Sequence, residues 1–183
     1  LMYYAPRIFE VAGAGRMSSL LMSVSIGLTN MIFTLIAINI IDRYGRKKML
    51  LVGAAGLSIT LMIVTWGFLI ASEAGIIILI SLIGYQAFFA LSQGTVIWVY
   101  ISEIFPNRVR AKGQALGSFT HWAGAAIVSW IFPIFAKIGN TTSTGYVFLL
   151  FAIIMVIQFI VVYRLFPETK GKSLEQIQDE FGL

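Results

Sequence analysis

The apolar residues of this chain fall into five long blocks, at residues 18–41, 49–71, 76–104, 114–136 and 145–166, and the polar residues gather in short stretches between them. A bilayer core about 30 Å thick is crossed by about 20 residues of helix, so each block predicts a membrane-spanning helix. Closed barrels are the other backbone arrangement that satisfies every polar group in lipid. The blocks lack the alternation of barrel strands and run about twice their length. The pattern therefore predicts an all-α membrane protein. The punctuation, Asp42 to Lys48, Ser72 to Gly75, Glu103 to Lys112 and Lys137 to Thr144, is short enough to join antiparallel neighbours.

The first residues depart from this pattern. Leu1 to Val11 is apolar enough for a helix but too short to span, and no charged leader precedes it. It reads as the outer part of a sixth helix that is truncated in this chain. Charge supplies an independent check. Ten of the thirteen Lys and Arg residues lie at 42–48, at 103–112 or from Arg164 onward, all on one side of the five spans. Arg7, Arg16 and Lys137 lie on the other. The positive-inside rule then places the C-terminus in the cytoplasm of a multi-pass protein of the cell membrane.

Composition narrows the function classes. With 58% hydrophobic and 11% charged residues, the chain could not clothe a water-facing surface. The net charge of +5 sits in inter-helix clusters and not on a polar domain, which argues against nucleic-acid binding. Zero cysteines and a single histidine leave no Cys- or His-cluster metal site, and no phosphate-binding loop is present. No cofactor and no enzymatic chemistry are expected. Six helices form half of many transporters, which pair two such halves around a midplane site. The expected partner is thus an N-terminal six-helix half.

Polar groups inside the spans are costly in hydrocarbon and tend to face a cavity or another helix. Asn30, Asn39, Gln86, Gln93, His121 and Gln158 are the candidates, with aromatics that include Tyr3, Tyr4, Trp98, Trp122 and Trp130. Neutral amides beside aromatic rings suit a sugar, which offers hydroxyls to bond and a C–H face to stack. Charged residues at the span ends have a different use. Asp42 beside Arg43 and Arg46, and Glu103 beside Arg108 and Arg110, can pair at the water surface. Each such pair contributes about 0 to 1 kcal/mol, which suits a latch that must release. Gly53, Gly56, Gly113 and Gly117 have the spacing of close helix packing. Leu174 to Phe181 predicts a short amphipathic helix, with Ser173 as its N-cap.

Three motifs lie in order at matching helix ends: Asp42-Arg43-Tyr44-Gly45-Arg46-Lys47-Lys48, then Ser102-Glu103-Ile104-Phe105-Pro106-Asn107-Arg108-Val109-Arg110, then Pro167-Glu168-Thr169-Lys170-Gly171. Together they resemble the sugar porters of the major facilitator superfamily, over the C-terminal half from the seventh helix through the twelfth. The resemblance implies a cytoplasmic gate network of Arg46, Glu103, Arg110 and Glu168, to which Asp42 adds a neighbouring acid. It implies sugar contacts by Asn30, Phe89, Trp98, His121 and Trp122, and an extracellular lid of Tyr3 and Tyr4; Gln93 joins the sugar-binding candidates as a polar group that replaces polarity lost where this sequence departs from the family, with helix packing as its alternative use. This sequence departs from the family at His121, where Asn or Gln is usual, and at Thr95, where many members have Pro. Thr95 is expected to soften the break of the tenth helix, leaving it to rest on Gly94. Ala90 stands where some facilitators have Glu. A neutral histidine at 121 donates and accepts hydrogen bonds, and proton sensitivity is the alternative use of that side chain.

The implied activity is secondary transport of a monosaccharide by alternating access, with a proton as the coupling ion. A non-transporting sugar sensor and an exporter of another small organic solute are the alternatives. The twelve residues after Gly171 are short for a signalling domain, and Asn30 with His121 makes the cavity polar for a greasy solute.

Overall fold

The structure, a computed structural model, describes residues 4–11, 15–70, 75–137, 141–172 and 176. Among the described residues seven helices follow in order: α1 (Ala5–Val11), α2 (Arg16–Tyr44), α3 (Arg46–Leu69), α4 (Gly75–Leu91), α5 (Gln93–Ile104), α6 (Arg110–Lys137) and α7 (Thr141–Leu165). With α4 and α5 counted as one interrupted rod, five are long and apolar enough to cross a membrane. The 24 residues of α3 extend about 36 Å at 1.5 Å per residue, longer than a hydrocarbon core. Several helices run past the apolar blocks. Arg46, Lys47 and Lys48 form the first turn of α3, and Arg110 and Lys112 that of α6. A helix satisfies its backbone beyond the hydrocarbon edge as readily as within it, so hydropathy understates its length.

The centre of the bundle is α3, packed along its length against α7 and α4. At one end Leu61, Val64 and Phe68 of α3 meet Ile8 and Phe9 of α1, Leu82 of α4 and Phe148 of α7. The rings of Phe68 and Phe148 stack 5.7 Å apart and almost parallel. At the other end Ala37 and Ile41 of α2, Met49 and Leu50 of α3, Val96 of α5 and Val162 of α7 form a second apolar cluster. By contrast, α6 is the least enclosed spanning helix, with Phe119, Trp122 and Trp130 all exposed.

Lipid supplies no hydrophobic drive between helices, so close packing has to hold them together. Small residues on α3 provide it. A Cβ on Gly53 would lie 1.7 Å from the Ser92 Oγ, and one on Gly56 would lie 2.3 Å from the Phe88 ring. Gly113 admits Phe105 and Gly117 admits Ile101 in the same way, seating α6 beside α5 and the loop after it. Gly124 of α6 has open space where its Cβ would stand.

Tyr3 and the stretch from Ser173 to Phe181, apart from Gln176, lie outside the described residues. The expectations for the first lid tyrosine and the tail helix fall there.

Gly56→Ala is expected to cost about 1–3 kcal/mol by overpacking against Phe88. Gly124→Ala is the control and leaves the melting temperature unchanged. Thermal unfolding in detergent makes the comparison, and equal melting temperatures for the two variants would contradict the packing described.

Candidate functional site

Three groups of the expected sugar-contact residues are visible, on four helices. Asn30 on α2 faces Gln86 on α4, and the Gln86 Nε2 donates to the Asn30 Oδ1 at 2.8 Å. Gln86 is 1% exposed. Burying an amide without a partner costs about 1–3 kcal/mol, so the pair stabilises both side chains. It also occupies the Asn30 acceptor, while no hydrogen bond from the Asn30 Nδ2 is seen among the described residues.

The second group lies at the interruption between α4 and α5. Phe89 stacks on Tyr85 with ring centres 6.3 Å apart. A Cβ on Gly94 would lie 3.0 Å from the Phe89 ring, so the glycine lets that ring lie over the break. Gln93 follows the break, and its buried Nε2 has no hydrogen-bond partner among the described residues.

The third group is a chain of rings between α5 and α6. Trp98 meets His121 edge-on at 5.0 Å, and His121 meets Trp122 edge-on at 5.6 Å. Trp122 is 60% exposed, on the uncovered face of α6. Among the described residues no hydrogen bond or ring contact joins Asn30 to Trp98 or His121. The six residues therefore form three clusters and not one closed pocket.

Tyr4 has a more definite partner than its expected role as a lid required. Pro133 lies inside α6 and has no N–H, so the Ser129 carbonyl four residues earlier lacks its helical donor. The Tyr4 hydroxyl donates to that carbonyl at 2.7 Å, and its ring packs 5.0 Å from Phe132. This ties the segment before α1 to α6. Tyr4 and Phe132 also line an apolar cleft of about 280 Å³ with Ile8, Leu61 and Phe148.

The charged residues converge at the opposite end, around the turn between α2 and α3. Gly45 makes that turn with φ +91°, a backbone conformation that L side chains rarely adopt. Its missing side chain also admits the Glu168 carboxylate, whose Oε2 would lie 2.6 Å from a Cβ. Glu168 caps α3 from outside the helix, since its Oε1 accepts the Arg46 backbone N–H at 2.8 Å. An acidic group at a helix N-terminus is further favoured by the macrodipole. Two residues on, the Lys170 ammonium donates to the Arg43 carbonyl in the last turn of α2. The segment after α7 thus caps one helix end with an acid and its neighbour with a base.

Arg46 holds this assembly together. Its Nε and Nη2 donate to the two oxygens of Glu103 at 3.0 and 2.7 Å, with side chains 12% and 25% exposed. The Thr169 hydroxyl donates to the same carboxylate at 2.6 Å. Asp42 also reaches Arg46, at 2.9 Å, but is 78% exposed. The exposed pair contributes at most about 1 kcal/mol. The enclosed two-point pair dominates.

Arg110 stands apart from these pairs. It lines a recess of about 420 Å³ with Glu103, Gln114 and Thr169, yet it makes no ion pair with Glu103. Its Nε and Nη2 are buried without a hydrogen-bond partner among the described residues. Glu103 already accepts three hydrogen bonds, two from Arg46 and one from Thr169, and is committed to them.

Sequence reasoning missed three participants. Gln86 was visible as a polar residue in a span, but nothing local pairs it with Asn30, 56 positions away. Thr169 stood inside a quoted motif without a role. Tyr100 is buried, stacks on Phe166 at 5.0 Å and donates its hydroxyl to the Pro167 carbonyl, which anchors the start of the capping segment.

Replacing Glu103 by Gln is expected to release this segment. Hydrogen bonds to charged groups contribute about 1.5–3 kcal/mol each, so amide exchange across residues 166–172 should rise roughly tenfold or more. Wild-type exchange there in the variant would remove Glu103 from the assembly.

Comparison with known proteins agrees with this architecture. The family model described as "Sugar (and other) transporter" matches residues 1–181. The chain is 35% identical over 181 residues to the D-xylose-proton symporter of Escherichia coli K12, covering 97% of this chain and 37% of that protein. It is 40% identical over 183 residues to the glucose transporter GlcP of Staphylococcus epidermidis, covering 98% of this chain and 40% of that one. A crystal structure of a double-tryptophan mutant of XylE superposes with TM-score 0.88 at 34% identity, over 97% of this chain and 38% of that one. The proton:xylose symporter XylE bound to 6-bromo-6-deoxy-D-glucose superposes with TM-score 0.84 at 34% identity, over 98% of this chain and 38% of that one. The chain therefore spans about two fifths of the length of these relatives. Helix order, the three motifs and these matches agree that the chain belongs to the sugar (and other) transporter family, as a multi-pass membrane protein with the major facilitator fold.

Proposed function

We propose that this chain forms the C-terminal half of a proton-coupled monosaccharide transporter of the cell membrane, with its C-terminus in the cytoplasm. It works by alternating access against an N-terminal six-helix half. The observation that carries this reading is the Asn30–Gln86 amide pair in the middle of apolar helices, with Gln86 buried and Asn30 half-buried. Polar side chains at that depth are costly, and here they leave the Asn30 donors free for a hydroxyl-rich solute. Phe89, Trp98, His121 and Trp122 supply aromatic surface for the sugar's C–H face, and the unpartnered Gln93 Nε2 supplies a further donor. Tyr3 and Tyr4 close the extracellular side.

The cytoplasmic gate divides into two parts on this reading. Asp42, Arg46, Glu103 and Glu168 hold the inner ends of this half together. Arg110, half-buried with its Nε and Nη2 unpartnered among the described residues, is the cation that meets a carboxylate of the other half when the inner mouth is shut. Buried guanidinium nitrogens without an acceptor are costly, so closing the mouth repairs a defect that opening exposes. The named relatives, a D-xylose-proton symporter and a glucose transporter, support both the substrate class and the coupling ion.

The test is counterflow of labelled D-glucose, D-xylose and D-galactose by the chain joined to its upstream half in proteoliposomes. Asn30→Ala is expected to lower counterflow at least about tenfold, through the lost donor and the unpaired Gln86. Wild-type counterflow in that variant would remove Asn30 from the site. Sugar binding without counterflow in the parent would favour a sensor, and neither binding nor counterflow would point to another solute.

A further inference from the structure

The interruption of the fourth spanning rod is held by side-chain hydroxyls. Ser92 separates α4 from α5 with φ −129° and ψ −88°, outside the helical region. Its N–H donates to the Phe89 carbonyl at 3.2 Å, three residues back, and not to Phe88 as a regular helix requires. The Thr95 N–H likewise donates to the Ser92 carbonyl at 3.2 Å. These tightened turns take the regular donors away from the carbonyls of the preceding turn.

The Phe88 carbonyl is recovered from the side, and the Ala90 carbonyl beside the break receives a hydroxyl as well. The Ser92 Oγ donates to the Phe88 carbonyl at 2.6 Å, and the Thr95 Oγ1 donates to the Ala90 carbonyl at 2.9 Å. No water is available in hydrocarbon, so the Phe88 carbonyl would otherwise stay unsatisfied. Ser92 is 1% exposed and sits where Gly53 of α3 has no side chain, 1.7 Å from where a Cβ would stand. The break is therefore bridged by two hydroxyls and keyed into a socket on the central helix.

We infer that Ser92 and Thr95 are positioning residues for the sugar site: their hydroxyls, with the Gly53 socket, hold the break between α4 and α5 and so set Phe89 and Trp98 relative to each other. Phe89 lies three residues before Ser92, and its own carbonyl takes part in the break. Trp98 lies three residues after Thr95, in the same turn of α5, against His121. The expectation that the break rests on Gly94 is corrected, because the dihedral departure lies at Ser92. Gly94 makes room for the Phe89 ring.

The role in the sugar site rests on the transport reading above, whereas the bridging of the break does not, and two measurements separate them. Both use the chain joined to its upstream half, in nanodiscs. Amide hydrogen exchange over residues 88–98 reports the break alone. Tryptophan fluorescence on titration with D-xylose and D-glucose reports the site. Thr95→Val removes the hydroxyl at constant shape, Thr95→Ser restores it, and Ser92→Ala removes the other hydroxyl while keeping the Cβ in the Gly53 socket.

Exchange is expected to rise about three- to fivefold in Thr95→Val and in Ser92→Ala, and to stay within about twofold of the parent in Thr95→Ser. Sugar Kd should rise by about the same factor in the first two variants and recover in the third. Wild-type exchange in both hydroxyl-less variants overturns the bridge. Raised exchange with unchanged Kd overturns the positioning role. A parent that binds neither sugar defeats the transport reading and with it the positioning role, while the exchange comparison still decides the bridge.

Discussion

A backbone carbonyl that loses its helical donor inside hydrocarbon has no water to turn to, and the shape of this chain is governed by how such groups are satisfied. Unbroken helices meet the constraint without help. Where the chain departs from them, at Pro133 and at Ser92, a hydroxyl stands beside the freed carbonyl. Tyr4 serves the first from another segment, and Ser92 and Thr95 serve the second from within the same rod. The two solutions have different reach. A donor brought from 125 residues away fastens one helix to another, whereas donors within five residues fasten a helix to itself. The proline kink thus becomes a tie between elements, and the serine break becomes a joint within one.

The same constraint acts at helix ends, where the first N–H groups and last carbonyls lack partners. Here the solution is ionic. Glu168 meets the start of α3 and Lys170 the end of α2, each opposite in sign to the dipole it faces. Gly45 makes this possible by turning the chain tightly and leaving space for the Glu168 carboxylate. The short segment after α7 therefore joins α2, α3 and α5, three elements distant from it in sequence. Its charges are confined to a region that hydropathy alone would mark as a boundary.

Much of this plan is legible in the sequence because the governing signals are local. Apolar run length identifies the spanning helices, and Gly45 in a charged run between two of them marks a turn. The spacing of Gly53 and Gly56 marks a packing face. What stays hidden depends on pairing across the bundle. The mate of Asn30 follows from how α2 and α4 lie together, and nothing beside Asn30 specifies Gln86. The commitment of Glu103 to Arg46 and Thr169, which leaves Arg110 aside, depends on where the segment after α7 lands. Gly94 was a reasonable place to expect a helix break, since glycine weakens a helix. Ser92 took that place because its side chain both replaces a lost bond and fills the space left by Gly53, which single-residue propensity does not register.

Thr95 shows why a hydroxyl differs from a proline as a way of making a joint. A proline at that position would delete the N–H and fix φ permanently, so the break would persist in every state of the molecule. Threonine keeps the N–H, which donates to the Ser92 carbonyl, and adds a hydroxyl for Ala90. Both bonds are reversible, with a net contribution of about 1 kcal/mol each. A rod held this way retains the donors needed to re-form a regular helix across residues 90–95. The break therefore rests on side-chain bonds and on the Gly53 socket, with the Thr95 N–H kept in place.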